Sequence, residues 1–160
     1  MTPHVARFAE LTTPVLYALL RLRADVFVVE QRCAYPDLDG RDLEPGTRHV
    51  WLDTDGGVPL AYLRILEERD GTARIGRVCV APAGRGRGLA RVVLAHALDL
   101  IGPRPCVLEA QAHLAGFYTS LGFVATGPEY VEDGIPHVPM RRAAATAGRP
   151  PAPPRTGAGR

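Results

Sequence analysis

The spacing of apolar residues changes period several times along the chain. Leu16, Leu19, Leu20 and Phe27 recur at helical spacing behind Thr13 and Pro14. A capping threonine followed by proline is a helix start, so a helix is predicted from Thr13 to about Glu30. Between residues 32 and 48 the pattern stops, and Pro36, Gly40, Pro45 and Gly46 appear. This reads as a long loop, and long loops inside compact domains tend to carry function. Strand signals return at 49–52 and 59–66, on either side of Asp53-Thr54-Asp55-Gly56-Gly57, which reads as a hairpin turn. A third strand spans 74–80 and ends at Pro82. Leu89, Val92, Val93, Ala97 and Leu100 then form one face of a helix that Gly102 and Pro103 close. Strands at 106–110, 123–126 and 137–141 and a short helix at 114–121 complete the pattern. Antiparallel hairpins come first, followed by a strand–helix–strand crossover that should be parallel and right-handed.

Composition narrows the class. With 160 residues, 46% hydrophobic and 22% charged, the chain has the size and balance of one globular domain that needs neither disulfides nor metal to hold a core. Residues 1–142 form that domain. Residues 143–160, rich in alanine, proline, glycine and arginine, lack any apolar period and are expected to be a disordered tail. No apolar run approaches a membrane span, and no signal-peptide pattern is visible at the start. Cys33, Cys79 and Cys106 are odd in number and far apart, which suits a reduced, cytoplasmic protein.

All 19 cationic residues are arginine. Three of them (Arg149, Arg155, Arg160) lie in the tail, leaving 16 against 17 acids over residues 1–142, a net of −1. A near-neutral domain argues against nucleic acid as a partner.

The chemistry concentrates in Ala83-Gly84-Arg85-Gly86-Arg87-Gly88, set between a strand and a helix. Glycines allow close backbone approach, and the free N–H groups of a helix start attract anions, so the segment can cradle a phosphate. It is not a P-loop, which needs a lysine. It is not a dinucleotide fingerprint either, because the sixth position from Gly84 is Leu89 and from Gly86 is Arg91. Alone, it is a weak signal and also reads as a flexible turn.

Its surroundings add a resemblance. Arg85 to Ala90 fits R-x-x-G-x-A after Val78-Cys79-Val80-Ala81-Pro82, and Phe117-Tyr118 precedes Leu121-Gly122-Phe123. Together these resemble the GNAT superfamily of acetyl-CoA-dependent N-acyltransferases. The segments VFVVEQRCAYPDLDG (26–40), QAHLAGFYTSLG (111–122) and YVEDGIPHV (130–138) look like its bacterial ElaA-like family. The resemblance covers the whole folded part. It implies a mixed α/β fold, with about seven strands in a mixed sheet flanked by four helices and two central parallel strands splayed around the pantetheine arm of acetyl-CoA. By position, Val78, Cys79 and Val80 would offer backbone groups to the pantetheine, although Val78 and Val80 also read as core. Arg85, Gly86, Arg87, Gly88, Leu89 and Ala90 would offer N–H groups to the pyrophosphate. Tyr118 matches the tyrosine that protonates the departing thiolate, a transfer that phenol and thiol acidities permit. Gln111 stands where many relatives have asparagine, and whether it meets the cofactor stays open.

The strand before the loop carries no acid, so the general base must come from elsewhere. An extended segment 109–113 would put Glu109, Gln111 and His113 on one face. His113 is the first candidate, followed by His137 and His49. The loop acids Glu30, Asp37 and Asp39, with Tyr35 and Gln111, are candidates for the acceptor pocket, where acids would favour a cationic amine. They also read as a solvated polar loop. Scattered histidines without paired cysteines make a metal site unexpected.

The expected activity is transfer of an acetyl group from acetyl-CoA to a small-molecule or peptide amine by direct attack. The rival reading is a non-catalytic acyl-CoA sensor on the same fold. A phosphate-loop or nucleic-acid protein is disfavoured by the missing lysine and the charge. The sequence identifies neither the acceptor nor the oligomeric state, and a homodimer stays open.

Overall fold

The computed structural model describes residues 1–144. The tail expected to be disordered lies almost wholly outside the described residues. Strand β1 (His4–Ala6) leads to helix α1 (Thr13–Arg23), which continues as a π-helical segment (Ala24–Glu30). The helical span matches the apolar spacing, but the cap sits one residue earlier: the Val15 N–H donates to the Thr12 hydroxyl at 3.4 Å. Strands β2 (Arg48–Asp53), β3 (Pro59–Glu67) and β4 (Ala73–Val80) follow. Helix α2 (Leu89–Ile101), β5 (Cys106–Gln111), α3 (Ala115–Thr119), β6 (Val124–Ala125), β7 (Tyr130–Glu132) and β8 (Ile135–Arg142) complete the fold. The expected seven strands and four helices become eight strands and three α-helices among the described residues. β1 and β7, three residues each, are too short to show an alternating pattern.

The sheet runs β1-β2-β3-β4-β5-β8-β6, with β7 also paired to β8. Only β4 and β5 are parallel neighbours. Leu63 and Ile65 on β3 and Val50 and Leu52 on β2 pack with Val93, Leu94, Ala97 and Ile101 of α2. On the other face Trp51, Tyr62 and Cys79 meet Leu19 and Leu22 of α1 and Val26. β3 is buried from Pro59 to Leu66, because both faces of the sheet are covered.

Two features of this sheet create the site. β4 carries a bulge: Tyr62 pairs with Cys79 and Arg64 with Gly76, so Arg77 and Val78 together oppose Leu63. Arg77 takes up the extra residue at φ +54°, and such bulges bend the strand that carries them. The parallel ladder between β4 and β5 is also short, pairing Ala73 with Cys106 and Arg74 with Val107. Beyond it β5 stays paired to β8 as far as Gln111, and β4 rejoins β3 at Cys79 and Val80. Each strand follows its outer neighbour, and the two separate.

Candidate active site

The separation opens a cavity of about 900 Å³, within the range that holds small molecules and cofactors. Val78, Cys79 and Val80 form one wall, and Leu108, Glu109 and Gln111 form the facing one. Tyr118 and Phe117 of α3 and Phe27 and Glu30 of the π-helical segment also line it.

At the far end of β4 the chain turns into the glycine loop. Gly84 is buried here for steric reasons, since a Cβ would lie 3.0 Å from Leu89 Cδ1 and 3.1 Å from the Leu60 carbonyl oxygen. Gly86 and Gly88 have φ of +75° and +71°, a region that L side chains rarely adopt. Gly88 leads into α2, whose start no side chain caps. The first N–H groups of a helix have no partner within it, so the cradle fits a pyrophosphate. Arg85 departs from expectation. Its N–H donates to the Pro82 carbonyl at 3.3 Å. Its guanidinium donates to both Glu30 carboxylate oxygens at 2.7 Å and to the Val80 carbonyl at 3.2 Å. Leu89 places its side chain in the core, so only its backbone faces the loop.

Tyr118 is 5% exposed and packs edge-on against Phe117 and Phe123. Burial pushes its phenol up to about 12, so it stays protonated through the neutral range. His113 lines the cavity, but the extended face drawn for it does not exist. β5 ends at Gln111, and His113 lies in a 3₁₀ turn, Ala112–Leu114. Gln111 donates to the Gln31 side-chain oxygen at 3.3 Å. His137 also lines the cavity, with Nδ1 2.7 Å from the Ile135 carbonyl. His49 does not belong to the site. It is buried between the Tyr62 hydroxyl at 2.7 Å and the Asp42 carbonyl at 3.2 Å.

The acidic loop differs most from its sequence reading. Asp37 is absent from the cavity wall, because it is buried against arginines. Arg23 Nε donates to Asp37 at 3.1 Å and Arg23 Nη1 to Asp42 at 2.7 Å. Arg64 holds Asp39 with both terminal nitrogens and reaches Asp42 at 3.0 Å. Arg77 Nε lies 2.8 Å from Asp37. Three aspartates thus meet three arginines, and the cluster has no excess charge with which to attract a cationic amine. Glu30 is likewise neutralised by Arg85. Tyr35 and Asp39 do line the cavity. The signal available in the sequence was the arginines: Arg64 between Leu63 and Ile65 on a strand buried on both faces requires an acidic partner.

Residues 26–144 match the family model described as an acetyltransferase (GNAT) domain. The chain belongs to the GNAT acetyltransferase family. Among its GNAT relatives, the UPF0039 protein Rv2851c of Mycobacterium tuberculosis is 49% identical over 136 residues, covering 83% of this chain and 87% of that one. Protein ElaA of Escherichia coli is 44% identical over 140 residues, covering 84% and 91%. The crystal structure of Escherichia coli ElaA superposes with a TM-score of 0.82 at 40% identity, over 88% of this chain and 97% of that one. An acyl-CoA N-acyltransferase from Pseudomonas aeruginosa superposes with 0.84 at 45%, over 88% and 98%. The GNAT family supports acyl transfer from an acyl-CoA, and the splayed strands and glycine loop could hold such a co-substrate.

Proposed function

We propose that this protein is an N-acetyltransferase that moves the acetyl group of acetyl-CoA directly to an amine. The observation that carries the reading is the position of Tyr118, a buried and protonated phenol on the cavity that opens between β4 and β5. The amides of residues 86–90 hold the pyrophosphate, and the backbone of Val78 to Val80 holds the pantetheine. The acceptor nitrogen attacks the thioester carbon, and a C–N bond forms as the C–S bond breaks. His113 takes the proton the amine loses, and Tyr118 gives its own to the departing sulfur. Tyr35, Asp39 and Gln111 line the acceptor's approach. Three free, buried cysteines support a cytoplasmic location.

The test is thioester consumption with acetyl-CoA against spermidine, free lysine and a peptide with a free N-terminus. Turnover that requires an amine and Tyr118 supports the reading. Tight acetyl-CoA binding with no turnover across the panel would favour the sensor instead.

A further inference from the structure

Arg77 occupies a backbone position that glycine would fill without cost. Its φ of +54° falls in the left-handed region at the bulge of β4. Such strain persists only where surrounding contacts over-determine it. The ladder pairs flank the bulge at Gly76 and Cys79, and the side chain adds further contacts. The guanidinium lies over the Tyr35 ring, 5.2 Å from its centroid. Nη2 donates to the Asp37 carbonyl at 3.2 Å and to the Asp39 carboxylate at 3.4 Å. Nε sits 2.8 Å from Asp37 Oδ1, close without hydrogen-bond alignment. The Tyr35 hydroxyl donates to that same oxygen at 2.7 Å. One side chain therefore ties the bulge to both ends of the 35–39 segment. That segment contains no strand or helix, and its regular neighbour is one 3₁₀ turn, Arg41–Leu43. Arg23 also holds the Asp37 carbonyl at 2.9 Å and Arg64 holds Asp39 at 2.8 Å, but the cation over the Tyr35 ring is Arg77, so the Tyr35 end of the segment depends on it most.

Tyr35, Pro36, Asp39 and Arg77 face the cavity. The cavity runs along β4, from Arg74 to Val80 and on to Arg85 at the cradle. Arg77 precedes Val80 by three residues, about 10 Å along a strand. The wall it organises therefore stands away from the phosphate cradle, where an acceptor would enter.

Resting on the N-acetyltransferase reading above, we propose that Arg77 is a positioning residue for the acceptor. It holds Tyr35, and with Arg64 it holds Asp39, as a wall of the cavity, so that acceptor binding depends on it and acyl-CoA binding does not.

The experiment compares the parent chain with Arg77→Gly, which accepts the backbone angle and lacks the side chain, and with Arg77→Lys, which keeps the charge without the planar fork. Three readouts are taken: the acetyl-CoA dissociation constant by calorimetry, hydrogen exchange of amides 33–40, and the KM of whichever probe among spermidine, lysine and the free-amine peptide turns over. In Arg77→Gly the 33–40 amides should exchange faster. The acceptor KM should rise on the order of tenfold while the acetyl-CoA constant stays within about twofold. Arg77→Lys should recover part of the loss. Unchanged exchange or an unchanged acceptor KM in Arg77→Gly overturns the proposal. So does an equal weakening of acetyl-CoA, which would make Arg77 a general support of the cleft. If the parent binds acetyl-CoA yet acetylates no probe, the acceptor reading fails. Hydrogen exchange then decides whether the tie itself exists, and slow exchange in Arg77→Gly overturns it.

Discussion

Arg85 and Glu30 stand 55 residues apart in the chain, yet both guanidinium terminal nitrogens of the one meet both carboxylate oxygens of the other at 2.7 Å. The pair joins the end of the first helical span to the start of the glycine loop at the rim of the cavity. The Arg85 fork holds the Glu30 carboxyl below its ordinary value. Both side chains are 45% exposed, so the pair adds little to stability. Its weight falls on charge at the cradle. Glu30→Gln should leave the melting temperature nearly unchanged. It should strengthen acetyl-CoA binding and steepen the salt dependence, because Arg85 is freed for the phosphates. Dissociation constants at two ionic strengths check this, and an unaltered salt slope would count against it.

Gly88 tests the cradle. A Cβ there meets nothing within 4 Å, so crowding by protein atoms is not the obstacle. The obstacle is φ of +71°. Gly88→Val should cost about 1–3 kcal/mol of stability and remove the rise in melting temperature that acetyl-CoA produces. Gly88→Asn, which tolerates the left-handed region, should keep most of both. Thermal melts with and without acetyl-CoA separate the two variants.

Tyr118→Phe keeps the ring and its contacts with Phe117 and Phe123. Turnover should fall on the order of 10²-fold, the lower end for a general acid, with acetyl-CoA affinity little changed. Because burial raises the phenol to about 12, Tyr118 does not ionise below about pH 11. Any alkaline fall in rate near pH 9 therefore belongs to another group and should persist in Tyr118→Phe. A variant that turns over within about twofold of the parent, with chemistry rate-limiting, removes Tyr118 from the mechanism.

The ion cluster predicts a large, local stability effect. Arg23 is fully buried between Asp37 and Asp42. Arg23→Leu leaves those carboxylates with only Arg64 and Arg77, and should destabilise the fold by about 3–5 kcal/mol in urea denaturation. A loss below about 1 kcal/mol would mean that the cluster rearranges around the gap.

Alkaline pH should unfold the protein through its thiols. Burial raises Cys79 to about 12 and Cys106 to about 11, from an ordinary value of 9.0. Folded-state values above the unfolded ones give stability that is complete below pH 9 and is lost as pH rises towards 11 and 12. Each thiol contributes a slope of roughly 1.4 kcal/mol per pH unit across its window. Urea midpoints at pH 8 and pH 10.5 should therefore differ strongly, and the Cys106→Ala variant should show a shallower fall.

Local pattern determined much of this protein. Pro14 and the leucines behind it marked the first helical span, though the cap is Thr12 rather than Thr13; Asp53 to Gly57 marked the hairpin, and Leu89 to Leu100 the face of α2. Arg85 to Ala90 and Phe117-Tyr118 pointed to the GNAT family, since short-range spacing carries those signals. Tertiary structure decided what depends on partners distant in sequence. The first span turns π-helical after Arg23, whose charge is buried against Asp37 and Asp42. β4 bulges at Arg77, and neither residue type nor periodicity marks a bulge at an arginine. β4 and β5 part after one short ladder because each keeps its outer neighbour. The acids of the 30–44 segment read as an open, cation-attracting loop only until Arg23, Arg64, Arg77 and Arg85 are known to neutralise Glu30, Asp37, Asp39 and Asp42. Charge in a sequence is a count, whereas electrostatic potential at a site depends on which charges fold against each other.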